Sequence, residues 1–113
     1  MIRIYHNPRC SKSRLTLGLL EEKNINVEVV EYLKTPPTEE ELRAILDKIG
    51  IKAEKLVRKG EVIFKDNFKG KVLSEEEWIK AMVQFPKLIE RPIVINGDKA
   101  VIARPPETVK EVL

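Results

Sequence analysis

The chain contains a single cysteine, Cys10, within the polar run from His6 to Arg14. A cysteine attacks other molecules as its thiolate, and the unpaired N–H groups and positive dipole end at the start of a helix stabilise a thiolate. The run lies between an alternating strand pattern and a helical pattern, so Cys10 is predicted to begin that helix. The alternative is a buried cysteine that serves as a small apolar residue. The polar neighbours favour a nucleophile.

Two residues near Cys10 are candidates to assist its thiolate. Ser13 follows three residues later, and its hydroxyl can donate a hydrogen bond to the thiolate, cap the helix, or do both. His6, the only histidine, can stabilise the thiolate or shuttle a proton, or it can be a structural residue. One cysteine cannot complete a dithiol cycle within the chain, so redox chemistry here requires an outside thiol.

Three arginines are candidates for an anion site. Arg58 lies in the run from Leu56 to Lys59 in the central part of the chain, whereas Arg91 directly precedes Pro92 and Arg104 directly precedes Pro105. Guanidinium groups bind tetrahedral oxyanions through paired hydrogen bonds. Three of them converging on one thiolate would therefore form an anion site, while each taken alone is compatible with a surface arginine.

Hydrophobic periodicity predicts the elements that position these residues. The first part of the chain has the pattern of a strand, a helix and a strand, a unit in which the two strands are parallel. The predicted elements are a strand with Ile2 and Ile4, a helix with Leu15, Leu19 and Leu20 that stops near Asn24, and a strand with Val27, Val29 and Val30.

The central part of the chain is predicted to be helical. Thr38 with Glu41, and Ser74 with Glu77, have the spacing of capping boxes, which mark helix starts. Residues 59–73 are predicted to form a loop, with one short helical turn just before it. The apolar positions of the two capped helices are Leu42, Ile45, Leu46 and Ile49 in the first, which Gly50 closes, and Trp78, Met82 and Val83 in the second.

The C-terminal part is predicted to form a hairpin and a helix. Residues 93–95 and 101–102 are apolar runs on either side of the turn signal at 96–98, which predicts an antiparallel hairpin. The prolines at 105–106 open a last helix. Its predicted inward residues are Val109, Val112 and Leu113.

The resulting order is βαβ, a helical insertion at about residues 38–86, and ββα, in one domain spanning residues 1–113. An α/β chain with this order, a cysteine opening its first helix and a proline leading into its third strand has the layout of the thioredoxin fold. In that fold the proline is cis and lies beside the cysteine. The Arg91–Pro92 bond is therefore predicted to be cis, although trans is the default for such bonds, and Pro92 is predicted to be structural at the site.

Composition disfavours several other classes. The net charge of +3 is spread along the chain without a basic block, so nucleic-acid binding is not expected. No apolar run approaches the roughly 18 residues that cross a bilayer, and the start lacks a signal-peptide pattern, so we expect no membrane association and a cytoplasmic location. One histidine and one cysteine cannot supply the four ligands of a zinc-type site, so no metal is expected.

Five segments, in order, resemble the glutaredoxin-coupled arsenate reductase family and cover essentially the whole chain. The segments are Tyr5–Arg14, Tyr32–Thr38, Leu56–Lys59, Glu90–Val94 and Ala103–Glu107. The resemblance implies that Cys10 is the nucleophile and that His6 and Ser13 assist its thiolate. It further implies that the three arginines named above bind the anion.

The resemblance also implies the reaction partners. It implies that the substrate is arsenate or a similar oxyanion, that glutathione is a co-substrate, that glutaredoxin is a further redox partner, and that no cofactor is bound. In the implied reaction, Cys10 attacks arsenic, glutathione attacks next, and glutaredoxin takes over the mixed disulfide as arsenite is released.

A phosphatase-like phosphate loop needs an arginine six positions after the cysteine, and Thr16 stands there, so this class is disfavoured. Two other functions stay open from the sequence. A monothiol, glutathione-dependent oxidoreductase acting on another substrate shares the predicted fold and Cys10. A non-enzymatic regulator related to Spx, which binds RNA polymerase, also shares the fold, but such regulators often carry a Cys-x-x-Cys pair.

Overall fold

The computed structural model describes residues 2–113, in which a run of helices separates the first two strands from the last two. Residues 2–35 and 91–113 form one unit, and residues 36–90 form a second, which contains the predicted helical insertion. The elements of the first unit are β1 (Ile2–Tyr5), α1 (Ser11–Glu22), β2 (Val27–Val30), β3 (Ile93–Asn96), β4 (Lys99–Ile102) and a C-terminal 3₁₀ helix (Pro106–Val112). The elements of the second are α2 (Glu39–Ile49), α3 (Ala53–Leu56), α4 (Val62–Asn67), α5 (Glu75–Gln84) and a 3₁₀ turn (Pro86–Leu88).

Strand pairing in the first unit follows the predicted pattern. The strand order is β2-β1-β3-β4, and β1 is parallel to β2 and antiparallel to β3. The hairpin of β3 and β4 is antiparallel and turns at Gly97, whose φ of 63° is a conformation that glycine adopts without a Cβ clash. These pairings confirm the α/β, thioredoxin-like order of the elements.

The core of the first unit lies where α1 and the C-terminal 3₁₀ helix pack on the sheet. Ile4, Leu20 and Val94 are fully buried there. Leu15, which the sequence assigned to the apolar stripe of α1, is 57% exposed. The buried face of α1 consists of Ser13, Thr16 and Leu20, so its first turns present small polar side chains to the interior, and Leu15 lies off that face.

The last helix is of the 3₁₀ type. Residues three apart share one face of such a helix, so Val109 and Val112 are both buried. The side-chain amide of Asn96 donates to the carbonyl of Val112 at 2.6 Å and ties this end to β3. Leu113 was predicted to face inward, but it follows the last helical residue and is 46% exposed.

Both predicted capping boxes are confirmed in the second unit. The N–H of Glu41 donates to the Thr38 hydroxyl (3.1 Å), and the N–H of Thr38 donates to the Glu41 carboxylate (2.9 Å). Ser74 and Glu77 make the same reciprocal pair at the start of α5. Gly50 ends α2 with a φ of 82°, as the sequence predicts.

The loop predicted at residues 59–73 is wrong in part, because α4 forms within it. No residue of α4 is buried, and the segment lacks a sustained apolar period. The rings of Phe64 and Phe68 instead pack on Trp78, with centroids 6.1 and 6.0 Å from the indole. These contacts join residues distant in sequence, so local periodicity does not show them. The short turn predicted before this loop is α3.

Candidate active site

Cys10 occupies the N-cap position of α1, as predicted. Its backbone is extended, and its carbonyl accepts the first helical hydrogen bond from the N–H of Arg14 (3.0 Å). The side chain is half-buried. The unpaired N–H groups of the first helical turn therefore point toward the region of the sulfur, which favours its anion.

The loop that leads into α1 is fixed by hydrogen bonds at both ends. The N–H of Cys10 donates to the Asn7 carbonyl (3.0 Å), and the N–H of Arg9 donates to Asn7 Oδ1 (3.0 Å). From the helix side, Arg14 Nη1 donates to the Pro8 carbonyl (2.9 Å). Asn7 and Arg14 were not assigned these positioning roles from the sequence, although Asn-Pro is a turn signal and asparagine commonly bonds the backbone two residues on.

Two guanidinium groups and two backbone N–H groups surround the Cys10 sulfur. Burial raises the pKa of the thiol, because desolvation disfavours the anion. Hydrogen bonds from the N–H groups of Ser13 and Lys12 lower it, and so do hydrogen bonds from the side chains of Arg91 and Arg104. The donors outweigh burial and bring the pKa to about 7, so a large fraction of Cys10 is thiolate at neutral pH.

Arg104 is aimed at the sulfur by a second contact. Its Nη2 lies 3.8 Å from Cys10 Sγ, while its Nε donates to the Arg91 carbonyl at 2.8 Å. The N–H of Ala103 donates to the Pro92 carbonyl at 2.9 Å, which holds the two arginine-bearing segments side by side. The Arg91–Pro92 bond is cis, as predicted, and the Arg104–Pro105 bond is cis as well.

The Ser13 hydroxyl is engaged differently from the prediction. Its Oγ lies 2.6 Å from His6 Nδ1 and accepts from the N–H of Asn7 at 3.0 Å. Ser13 is fully buried and occupies the third position inside α1, so it does not cap the helix. Ser13 contacts the Cys10 sulfur through its backbone N–H, and its hydroxyl instead joins the helix to His6 and Asn7, in the loop that follows β1.

His6 is buried next to this hydroxyl. Burial lowers the pKa of the imidazole, the Glu31 carboxylate raises it, the Arg14 guanidinium lowers it and Glu21 raises it, and the net shift is downward. The neutral ring is therefore favoured at neutral pH. The Ser13 hydroxyl, 2.6 Å from Nδ1, holds this ring nitrogen in place.

Arg58 belongs to the second unit. Its Nε lies 3.2 Å from the Glu61 carboxylate, and its Nη1 lies 3.5 Å from the Glu90 carboxylate. The Arg58 backbone N–H donates to the Leu88 carbonyl at 2.6 Å. The guanidinium is thus oriented by two carboxylates, and its contact with an anion stays a prediction.

Residues 2–113 contain no group of three or more His, Cys, Asp or Glu side chains arranged to hold a metal ion. No helix within the same residues combines the length and the apolar character that a membrane crossing requires.

Known proteins resemble this chain over nearly its full length. The sequence profile of the ArsC family matches residues 5–112. An arsenate reductase of Haemophilus influenzae is 49% identical, with 97% of this chain and 97% of the relative covered. The Escherichia coli K12 protein YfgD, described as uncharacterized, is 51% identical over 99% of this chain and 96% of its own length.

A solved structure shows the same fold. The arsenate reductase from Vibrio cholerae superposes with a TM-score of 0.94 and is 44% identical in sequence. The match covers 99% of this chain and 97% of the Vibrio chain. Sequence similarity and structural similarity therefore relate the chain to the same group of proteins, the ArsC family.

Proposed function

The chain belongs to the ArsC family, and we propose that it is an arsenate reductase that converts arsenate to arsenite with Cys10 as the nucleophile. The observation that carries the proposal is the environment of the Cys10 sulfur, which has a pKa of about 7 and faces two guanidinium groups. A thiolate beside fixed cations suits attack on an oxyanion, because the cations offset the repulsion between two anions.

Substrate binding is assigned to the arginines. Arg91 and Arg104 lie at the sulfur, and a tetrahedral arsenate can accept hydrogen bonds from both. The N–H groups that now face Sγ supply further donors for an oxygen placed near it. Arg58 is proposed as a third anion ligand on the resemblance of its sequence segment.

The first chemical step is nucleophilic substitution at arsenic. The Cys10 thiolate forms an S–As bond, one As–O bond breaks, and that oxygen leaves as water after it takes up protons. Arsenic is still As(V) in the resulting adduct. Arg104 stabilises the developing charge on the remaining oxygens, because it is held in place by the Arg91 carbonyl before the substrate arrives.

Reduction needs two electrons, and this chain offers one sulfur. A glutathione thiolate attacks Cys10 Sγ, an S–S bond forms, and the S–As bond breaks with its electron pair moving to arsenic, which leaves as arsenite, As(III). A glutaredoxin thiol then attacks the glutathione sulfur of the mixed disulfide and releases Cys10 as thiolate. Glutathione and glutaredoxin are part of the proposal.

His6 and Ser13 are proposed to position the nucleophile. Their side chains contact each other and the loop, and the N–H of Ser13 bonds the sulfur. The neutral imidazole fixes the hydroxyl, and the hydroxyl fixes the turn that carries this N–H. Both residues therefore act on the sulfur through the backbone.

Arsenite formation by the purified protein tests the function. Wild-type protein with arsenate, glutathione and glutaredoxin is expected to produce arsenite, and Cys10→Ser is expected to produce none, because a serine hydroxyl is not ionised at neutral pH. Arg3→Gln, a change in an exposed ion pair of β1, is the matched control and should retain full turnover.

The outcomes separate the alternatives. Retained turnover in Cys10→Ser would remove Cys10 as the nucleophile. Absence of arsenite from wild-type protein that still exchanges glutathione mixed disulfides would replace the proposal with a monothiol oxidoreductase. Absence of both activities, with capture of RNA polymerase, would identify a regulator.

A further inference from the structure

A groove with a volume of about 340 Å³ runs along α1, on the side where Pro105 and Glu107 face the helix. Two of its lining residues are linked to groups that contact the Cys10 sulfur. Lys12 lines the groove, and its backbone N–H bonds Cys10. Pro105 also lines it and directly follows Arg104, whose guanidinium lies 3.8 Å from Sγ. The end of the groove formed by Lys12 and Pro105 is therefore the end nearest, along the chain, to the groups that contact Sγ.

The groove exists partly because α1 carries a glycine. Gly18 lines it at mid-helix, and a Cβ added there would meet no atom within 4 Å. Glycine is unfavourable inside a helix relative to alanine, and here no neighbouring atom requires its small size. The absent side chain leaves open space in the floor of the groove.

Charges of both signs line the groove. Lys12 lies at the end next to the sulfur, and Glu22 lies ten positions further along α1, about 15 Å away at the helical rise. Glu107 lines the opposite wall. Within residues 2–113, none of these three side chains takes part in an ion pair. The exposed side chain of Leu15 adds an apolar surface between the charged ends.

We propose that this groove binds the thiol that reduces the Cys10 adduct, as a small peptide thiol whose carboxylate lies near Lys12 and whose ammonium group lies near Glu22 or Glu107. The proposal deepens the proposed function and rests on it. A bipolar groove fits a zwitterionic ligand, whereas a wholly anionic one would meet Glu22 and Glu107. The volume is within the range of small-ligand pockets.

Binding in the groove delivers the thiol to the correct atom. The peptide portion would be held by charges along α1, and the sulfur would approach Sγ from the end marked by Lys12 and Pro105. This placement leaves the guanidinium groups of Arg91 and Arg104 to the oxyanion. The two substrates of the reaction would then occupy different surfaces around one sulfur, which is necessary for the thiol to attack the adduct.

Disulfide exchange tests the groove without arsenate. The Cys10 thiolate attacks one sulfur of a disulfide, the S–S bond breaks, and the other half leaves as a thiolate. The probes are oxidised glutathione, which carries the peptide charges, and bis(2-hydroxyethyl) disulfide, which carries none. The measured quantity is the ratio of the two second-order rate constants.

Gly18→Phe should lower this ratio by roughly tenfold, because the ring fills the groove while the exchange with the uncharged disulfide continues. Gly18→Ala is the matched control and should keep the ratio. Glu22→Gln and Glu107→Gln should each lower it by about two- to fivefold, the size expected for one exposed ion pair. Glu111→Gln, an exposed change on the same 3₁₀ helix as Glu107, should have no effect.

An unchanged ratio in Gly18→Phe together with both glutamine variants of the groove would overturn the proposal. An equal loss of rate with both disulfides would overturn it as well, since a groove for the peptide portion predicts selectivity. Intact selectivity without arsenate turnover would overturn the proposed function alone. Arsenate turnover with unchanged glutathione kinetics in the groove variants would overturn the groove alone.

Discussion

Burial and hydrogen bonding have opposite effects on the pKa of the Cys10 thiol, and the effect of the hydrogen bonds is the larger. Burial raises the pKa of the thiol, and the donors lower it to about 7. Two of the donors are backbone N–H groups at the start of the helix that follows Cys10. The guanidinium of Arg104, in contrast, lies 94 positions away in sequence and is positioned by the Arg91 carbonyl. The pKa therefore depends on contacts far apart in sequence as well as on the helix.

Alkylation of Cys10 by iodoacetamide should show this dependence. The rate is expected to rise with pH around a midpoint of about 7 in the wild type, because only the thiolate reacts. Arg104→Gln should shift the midpoint upward, and Arg3→Gln should leave it unchanged. A midpoint that does not move in Arg104→Gln would show that the guanidinium does not stabilise the anion.

The lowered pKa of Cys10 also makes the free energy of unfolding depend on pH. The folded thiol has a pKa of about 7, below the ordinary value of about 8.5. The thiolate therefore adds stability that is fully present above the ordinary value and is lost as the pH falls through about 7. The free energy of unfolding of the wild type, relative to Cys10→Ser, should rise between these pH values in denaturant titrations.

Ser13→Ala should destabilise the protein and disturb the thiol together. The change removes the hydroxyl that meets His6 Nδ1 and the Asn7 N–H, and buried groups left unpaired cost about 1–3 kcal/mol. The alkylation midpoint of Cys10 should also rise, because the N–H of Ser13 loses its support.

Thr16→Val is the matched control for a buried hydroxyl in the same helix. The Thr16 hydroxyl donates to the Lys12 carbonyl at 2.9 Å. This carbonyl also accepts a backbone hydrogen bond within the helix, so it keeps a partner when the hydroxyl is removed. The cost should be about 1 kcal/mol or less, with no change in the Cys10 midpoint. Equal midpoints in the Ser13 and Thr16 variants would contradict the positioning role of Ser13.

At the scale of single residues, the sequence predicts which side chains matter better than it predicts which atoms they contact. The local pattern places Cys10 at a helix start and marks Arg91 and Arg104 by their prolines. It does not decide whether the Ser13 hydroxyl bonds the sulfur or His6, since both lie within reach of the same turn. That choice depends on how the loop after β1, with His6 and Asn7, packs against α1.

At the scale of elements, two of the four leucines of α1 have opposite environments. Leu20 is fully buried in the core of the first unit, and Leu15 is mostly exposed. Leu20→Ala should lower the free energy of unfolding by about 2–5 kcal/mol, because it removes packed methyl groups and leaves a cavity. Leu15→Ala should change it by less than about 0.5 kcal/mol.

Urea titrations followed by circular dichroism measure both changes. The two variants remove the same atoms from the same helix, so helix propensity does not account for a difference between them. Similar losses of stability would contradict the assigned orientation of α1.

Elements with local signals are the predictable ones. The capping boxes of α2 and α5 and the turn at Gly97 depend on residues three or fewer positions apart, and the structure has all of them. The helix α4 has no such signal, because Phe64 and Phe68 are stabilised by Trp78 rather than by neighbours in sequence. Leu15 is exposed because the buried face of α1 begins with Ser13 and Thr16. A search for apolar spacing overlooks these two residues because they are polar.

At the scale of the whole molecule, the distribution of charge matters more than its sum. The net charge is only +3, yet Arg9, Lys12 and Arg14 are exposed around the start of α1. Such a local excess of positive charge attracts anions to the thiol and is weakened by salt.

The reaction of Cys10 with charged and neutral reagents measures this field. The rate with iodoacetate, divided by the rate with iodoacetamide, should fall as salt is raised from about 0.01 M to about 1 M, where the screening length shrinks from about 30 to about 3 Å. Lys12→Gln should lower the low-salt ratio. Lys23→Gln, the same charge change at the other end of α1, should lower it less, and equal effects would contradict local steering.

The single cysteine and the single tryptophan of this chain belong to different units. The natural sequence is therefore already a pair for resonance energy transfer, with Trp78 as donor and a fluorophore attached to Cys10 as acceptor. Because no residue needs to be removed to make the label unique, the distance between the units can be followed in solution on an otherwise unaltered chain.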